Sequence, residues 1–174
     1  QYIAILRDPA NRYLSEYADV LRKGADTLSD HIGREDLDGQ ALEALRHEPV
    51  ESFLASPFGA AFGNMQTKYM AGQVKAETSD QELLDAAKKN LEGLVALGIT
   101  ERFDESLIMM HYKLGWDNIF YHHLNRSKSQ YKVIMTPELS EKILALNRLD
   151  SELYSYAMKL FDDRITKHAV NMSR

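Results

Sequence analysis

The sequence predicts an α/β fold, rich in helix, in which a parallel sheet is flanked by helices, and three observations carry that expectation. A short, branched apolar run near the start, Tyr2-Ile3-Ala4-Ile5-Leu6, passes through a tight turn directly into a helical pattern. A helix–strand–helix succession follows between Ser79 and Gly115, as one more unit of an α/β fold. No internal repeat or low-complexity stretch breaks the chain, and 174 residues at 44% hydrophobic can bury one substantial core, so residues 1–174 are expected to form a single domain.

Taken in order, Tyr2 to Leu6 reads as a strand covered on both faces at the centre of the sheet, because its apolar residues are continuous. Asp8-Pro9 opens a helix: Asp is a good N-cap and the fixed φ of proline suits the first helical position. Tyr13, Tyr17, Val20 and Leu21 recur at helical spacing up to Gly24. From Asp26 to Gly63 the periodicity weakens, with short helical pieces at Gln40–Arg46 and Val50–Ala55 punctuated by Pro49, Pro57, Gly59 and Gly63, which reads as irregular capping structure over a site. Ser79-Asp80-Gln81-Glu82 resembles a capping box, opening a helix to about Val95 with Leu83, Leu84, Ala87, Leu91 and Leu94 on one side. A short strand is expected at Ile99–Phe103, then a helix through Leu107, Ile108 and Leu114 to Gly115. Trp116 to Met135 reads as a long loop, β-like from Tyr131. Thr136-Pro137-Glu138 opens another helix, and the spacing from Leu149 through Leu153, Tyr156, Ala157, Leu160 and Phe161 predicts a final long helix to about Ala169.

Composition narrows the chemistry. A net charge of −5, with charged residues spread along the chain, argues against duplex DNA or an anionic membrane as the main partner, while leaving room for a local basic pocket. The absence of cysteine excludes disulfides, thiolate metal sites and a cysteine nucleophile. His111 and the pair His122-His123 lack metal-ligand spacing and read as packing or hydrogen-bonding residues, so no metal is expected; Trp116 reads as core or a loop anchor and Met109-Met110 as hydrophobic filler. No apolar run is long enough to cross a bilayer. A chain that opens at Gln1 directly in a strand is expected to be the carboxy-terminal portion of a longer domain. The plain expectation for its setting is cytoplasmic and bacterial, and its oligomeric state, including a homo-oligomer, is open.

The most informative segment runs from Ile5 through Arg7-Asp8-Pro9-Ala10-Asn11-Arg12 to Ser15-Glu16-Tyr17. Arg7 falls at the carboxyl end of a strand, where open α/β sheets place ligands, and Ser15 lies two turns into the next helix. A guanidinium and a hydroxyl facing one anion, near a helix start, are suited to a phosphate. A second cluster, Arg126, Ser127 and Lys128, makes a plausible anion nest in the long loop. Asn64, Gln66, Thr67 and Lys68 gather three hydrogen-bonding side chains and one cation in a short segment.

Arg-Asp-Pro, the following Arg and the Ser-x-Tyr in this register resemble the 3′-phosphate-binding motif of the carbohydrate-type sulfotransferases. Ala87-Lys88-Lys89-Asn90-Leu91, Gly98-Ile99-Thr100-Glu101 and Leu153-Tyr154-x-Tyr156-Ala157 resemble further segments of the same family. The similarity is nearest to the heparan sulfate and uronyl 2-O-sulfotransferases and their bacterial relatives, and covers Tyr2 to about Val170. The resemblance implies a P-loop-like sulfotransferase fold and 3′-phosphoadenosine 5′-phosphosulfate as donor, with 3′,5′-adenosine bisphosphate as product. It implies a hydroxyl-bearing acceptor such as a sugar or uronic acid, and a Golgi lumen setting for an animal homologue. It places Arg7, Ser15, Arg126, Ser127 and Lys128 on the donor and Asn64, Gln66, Thr67 and Lys68 at the acceptor. One departure matters: no Gly-rich loop with Lys and Ser/Thr for the 5′-phosphosulfate occurs between Gln1 and Arg174, and no general base is identified, so no catalytic residue is named. A nucleotide-binding or kinase-like protein, or a non-catalytic α/β interaction domain, is the alternative, although Arg7 with Ser15 has no natural kinase role.

Overall fold

The computed structural model describes residues 2–23, 39–73, 77–121 and 133–172. Among these the chain is mostly helical with one parallel pair of strands, an α/β arrangement. Contacts group it into two compact units. The first holds Gln1–Asp8, Asn64–His122 and Arg148–Arg174; the second holds Pro9–Gly63 and His123–Asn147.

In the first unit β1 (Ile3–Leu6) pairs in parallel with β2 (Ala96–Ile99), Ile3 opposite Ala96 and Leu6 opposite Ile99. This corrects the strand expected at Ile99–Phe103. The preceding apolar residues fit a position buried on every side, whereas Thr100–Arg102 forms a 3₁₀ turn leading into a helix, Phe103–Leu114. Gly98 is the reason the strand can run here. A Cβ on it would lie 3.1 Å from side-chain atoms of Ile5, Ser106 and Met110, so glycine lets strand and helix approach without those side chains giving way. Ser106 pins the end of β2 by accepting from the Ile99 amide (2.8 Å) and donating to carbonyl oxygens of the same turn.

β1 is not covered on both faces among the described residues: Ile3 and Ile5 are 46% and 42% exposed, while Leu6 is buried. The core of this unit forms around the helices Met65–Ala71, Asp80–Glu92 and Arg148–Met172, where Leu84, Leu91, Leu97, Leu153 and Phe161 pack together. The capping box at Ser79 and Glu82 is formed, with each side chain bonding the other's backbone amide, and its helix ends at Glu92, a turn short of the Val95 expected. The final helix spans the expected range and three residues beyond it.

The second unit contains the helices Pro9–Lys23, Gly39–Leu45, Val50–Leu54, Pro57–Ala61 and Pro137–Leu146. In chain order the helices are α1 (Pro9–Lys23), α2 (Gly39–Leu45), α3 (Val50–Leu54), α4 (Pro57–Ala61), α5 (Met65–Ala71), α6 (Asp80–Glu92), α7 (Phe103–Leu114), α8 (Pro137–Leu146) and α9 (Arg148–Met172). The helical pieces expected near Gln40–Arg46 and Val50–Ala55 form as α2 and α3, α4 adds a third short helix, and 133–135, expected to be β-like, forms no strand. Thr136 caps α8 as its sequence position implies, accepting from the Leu139 amide. The core is aromatic: Phe53 stacks on Phe58 and Phe62 and meets Tyr13 and Tyr17 edge-on.

Tyr13 is fully buried and donates from its hydroxyl to the Gly59 carbonyl (3.1 Å). Burial pushes this hydroxyl far above the ordinary tyrosine pKa, so its neutral form is the one that fits the fold. Stability that depends on the neutral hydroxyl is fully present below the unfolded value of about 10 and is lost as pH rises from there toward the folded value. Urea denaturation at stepped pH is expected to show midpoints falling above about pH 10, with Tyr13→Phe flattening part of that fall and costing about 1 kcal/mol at neutral pH.

Candidate functional site

Arg7 is the first residue beyond β1 and is half-buried. Its position at the carboxyl end of a parallel strand is where ligands meet α/β sheets. Among the described residues no carboxylate or carbonyl engages its guanidinium. The backbone there is held tightly. Past the Leu6–Ile99 pair, β2 curls into its 3₁₀ turn and can no longer supply ladder partners, so the next polar groups of the first strand are met by side chains. The Arg7 amide donates to Gln66 Oε1 (2.9 Å) and the Arg7 carbonyl accepts from Gln66 Nε2 (2.9 Å). The Asp8 amide donates to Glu101 Oε1 (3.0 Å). Glu101 reaches it because residue 101 lies two beyond Ile99 as residue 8 lies two beyond Leu6. The other oxygen, Oε2, accepts from the Tyr154 hydroxyl (2.8 Å). Burial, and after it the bond to Glu101, pushes the Tyr154 hydroxyl well above its ordinary pKa.

Gln66 is itself fixed. The carboxylate of Asp150, in the first turn of α9 and 1% exposed, accepts from the amides of Gln66 (3.1 Å) and Thr67 (2.7 Å) and from the Thr67 hydroxyl (2.7 Å). It therefore serves as the cap of α5, whose own capping position, Asn64, sits in the left-handed region (φ 57°) and makes no side-chain bond to its helix. Asn64 Oδ1 instead accepts from the amides of Leu149 (2.9 Å) and Asp150 (3.3 Å). Each of the two helix starts is thus capped by a side chain from the other.

Of the residues expected at the acceptor, Asn64, Gln66 and Thr67 therefore have internal partners, and Gln66 and Thr67 are buried. That corrects the picture of an open polar wall: the amide of Gln66 is occupied at both ends by the Arg7 peptide. Lys68, on the same short helix, is exposed. Ser15 lies on an exposed position of α1 in the second unit. Arg12 is three residues away on that helix, hence a neighbour on its surface. Its guanidinium lies 3.5 Å from Glu16, and its Nη1 is buried with no hydrogen-bond partner among the described residues. Arg126, Ser127 and Lys128 lie outside the described residues. The sequence reading missed the part played by Glu101, noticed only as part of a family segment. A cavity of about 280 Å³ lies beside the start of β2, at the opposite end of the strands from Arg7. Its Arg164 is spent on the carbonyls of Leu91, Glu92 and Leu94, and none of its lining residues was expected in the site.

With that geometry in place, comparison with known proteins is decisive at the level of family. A family model described as galactose-3-O-sulfotransferase matches residues 1–171. The chain belongs to this galactose-3-O-sulfotransferase family. Among curated proteins, heparan-sulfate 6-O-sulfotransferase 2 of Danio rerio is 32% identical over 187 residues, covering 94% of this chain and 38% of that protein. Heparan-sulfate 6-O-sulfotransferase 2 of Homo sapiens is 29% identical over 182 residues, covering 94% and 30%. Heparan-sulfate 6-O-sulfotransferase 1 of Homo sapiens is 29% identical over 186 residues, covering 94% and 44%. The chain spans less than half the length of these relatives. Membership of the family agrees with the resemblance read from the motifs, although these relatives are 6-O- and not 2-O-sulfotransferases by name. The expectation of a cytoplasmic setting is overturned by the same matches, which are to animal heparan-sulfate sulfotransferases. No described helix is long and apolar enough to cross a membrane.

Proposed function

We propose that this chain is part of a carbohydrate sulfotransferase that moves a sulfuryl group from 3′-phosphoadenosine 5′-phosphosulfate to a sugar hydroxyl. The observation that carries the reading is Arg7 at the carboxyl end of β1, its backbone held by other side chains, within a family match that runs over nearly the whole chain. In such a reaction the acceptor oxygen bonds to sulfur and the sulfur–oxygen bond to the donor phosphate breaks. The hydroxyl proton passes to a base, and 3′,5′-adenosine bisphosphate leaves. On this reading Arg7 and Ser15 hold the 3′-phosphate, with Arg126, Ser127 and Lys128 adding positive charge.

The names of the relatives support a sulfated or uronate-bearing polysaccharide as acceptor, and the exposed cation Lys68 suits such a polyanion. The family match over residues 1–171 supports a P-loop-like sulfotransferase fold as the frame of this reading. Calorimetry on the full-length protein is the test. Binding of 3′,5′-adenosine bisphosphate in clear preference to ATP is expected, with Arg7→Ala weakening it about 100-fold, the loss of a bidentate charge-assisted pair. Equal affinity for the two nucleotides, or an Arg7→Ala variant that binds as tightly as the parent, refutes the proposal.

A further inference from the structure

We infer that Gln66 and Glu101 are positioning residues for Arg7, acting on the donor side of the reaction through the backbone of the first strand and not on the acceptor. The inference rests on the reading of Arg7 as a donor-phosphate contact and adds to it the device that aims the guanidinium.

The physical case lies in how the tip of β1 is satisfied. Three successive backbone groups, the Arg7 amide, the Arg7 carbonyl and the Asp8 amide, pass beyond the reach of the strand ladder, and two side chains take up all three. A primary amide is the one side chain that can donate and accept in the same plane, so Gln66 completes a peptide-like pair with Arg7 and fixes the plane of both flanking peptides. Fixing those peptides fixes φ and ψ of Arg7 and hence the direction in which its Cβ leaves the backbone. Glu101 holds the second of these peptides from its other end, the Asp8 N–H, and is oriented by the Tyr154 hydroxyl. The Gln66 amide is spent on the Arg7 backbone, and the Glu101 carboxylate is shared between the Asp8 amide and the Tyr154 hydroxyl. A bidentate guanidinium–phosphate contact is sensitive to aim, since its two parallel hydrogen bonds require the fork to be coplanar with two oxygens.

The test is a double-mutant cycle on the full-length protein, read by calorimetric affinity for 3′,5′-adenosine bisphosphate. Gln66→Ala is expected to weaken binding about tenfold, and Glu101→Ala about threefold, in line with one or two lost neutral hydrogen bonds. In the Arg7→Ala background neither substitution is expected to weaken binding further, because the group they aim is gone. In transfer assays Gln66→Ala is expected to raise KM for the donor and leave KM for the acceptor unchanged. Additive losses in the cycle, an effect confined to acceptor KM, or Glu101→Ala and Gln66→Ala binding like the parent would each overturn the inference. Glu101 is exposed, so its variant remains informative if Gln66→Ala does not fold. A parent-like affinity in Arg7→Ala alone is a separate outcome: it removes the phosphate-contact reading itself, and with it the group these residues would aim.

Discussion

Replacing Asp150 with alanine is expected to lower the unfolding free energy by about 4 kcal/mol, since it strips partners from two buried amides and a buried hydroxyl at once, each worth roughly 1–3 kcal/mol when left unpaired. The carboxylate caps a helix that lacks a local cap, and it does so from a residue 84 positions away from Gln66. The loss therefore falls on tertiary structure and not on the intrinsic stability of either helix. Two companion variants separate the components. Thr67→Val removes only the hydroxyl and is expected to cost about 1 kcal/mol, while Asp150→Asn keeps an acceptor oxygen and should fall between the two. Equilibrium urea unfolding with a shared m-value measures all three. An alanine variant within about 1 kcal/mol of the parent would show that the reciprocal caps do not hold the helices together in the way argued. Because Gln66 follows this cap directly, nucleotide affinity in Asp150→Ala is expected to fall along with stability.

Gly59→Ala is expected to be comparably severe, at about 3 kcal/mol, the upper end for forcing atoms into a packed core. A Cβ built on Gly59 lies 2.3 Å from the Phe53 carbonyl oxygen, 2.7 Å from that of Leu54 and 2.8 Å from Leu54 Cα. These are backbone atoms, so no rotamer change relieves the overlap; α3 and α4 must separate. The same glycine supplies the carbonyl that receives the Tyr13 hydroxyl, and Phe53 stands at the centre of the aromatic cluster. Separation would loosen both. The check is thermal denaturation together with the near-ultraviolet dichroism of the buried rings. A variant that keeps both the parent's melting temperature and its aromatic signal would refute the steric reading. Gly72, by contrast, has open space around it and owes its identity to a positive φ of 77°, so the two glycines are required for different reasons.

Much of the local structure was legible because its causes are local. The caps Ser79 and Thr136, the prolines at 9 and 137 and the apolar spacing of α1, α6 and α9 each act within a turn or two, and those helices form where the pattern puts them. The second strand was misplaced for a physical reason. Gly98 reads as a breaker in sequence, yet it is what allows β2 to lie against Ile5 and Ser106, and only the packed neighbours reveal that use. The central, covered position expected for β1 rested on its unbroken apolar run, but a run of this kind reports which side chains could be buried, not which neighbours are there.

The same division holds at the candidate site. By itself the sequence determined the family, through Arg7-Asp8-Pro9 and its continuation to Ser15, and the place of Arg7 at the end of a strand, because both are written in contiguous residues. Tertiary structure alone decided what Gln66, Thr67, Asn64 and Glu101 do. Their polar groups fit a sugar as well as a peptide when read along the chain, and their partners lie 53 to 93 residues away, at Arg7, Asp8, Leu149, Asp150 and Tyr154. A side-chain amide carries no mark of which buried backbone it will satisfy until folding removes that backbone from water.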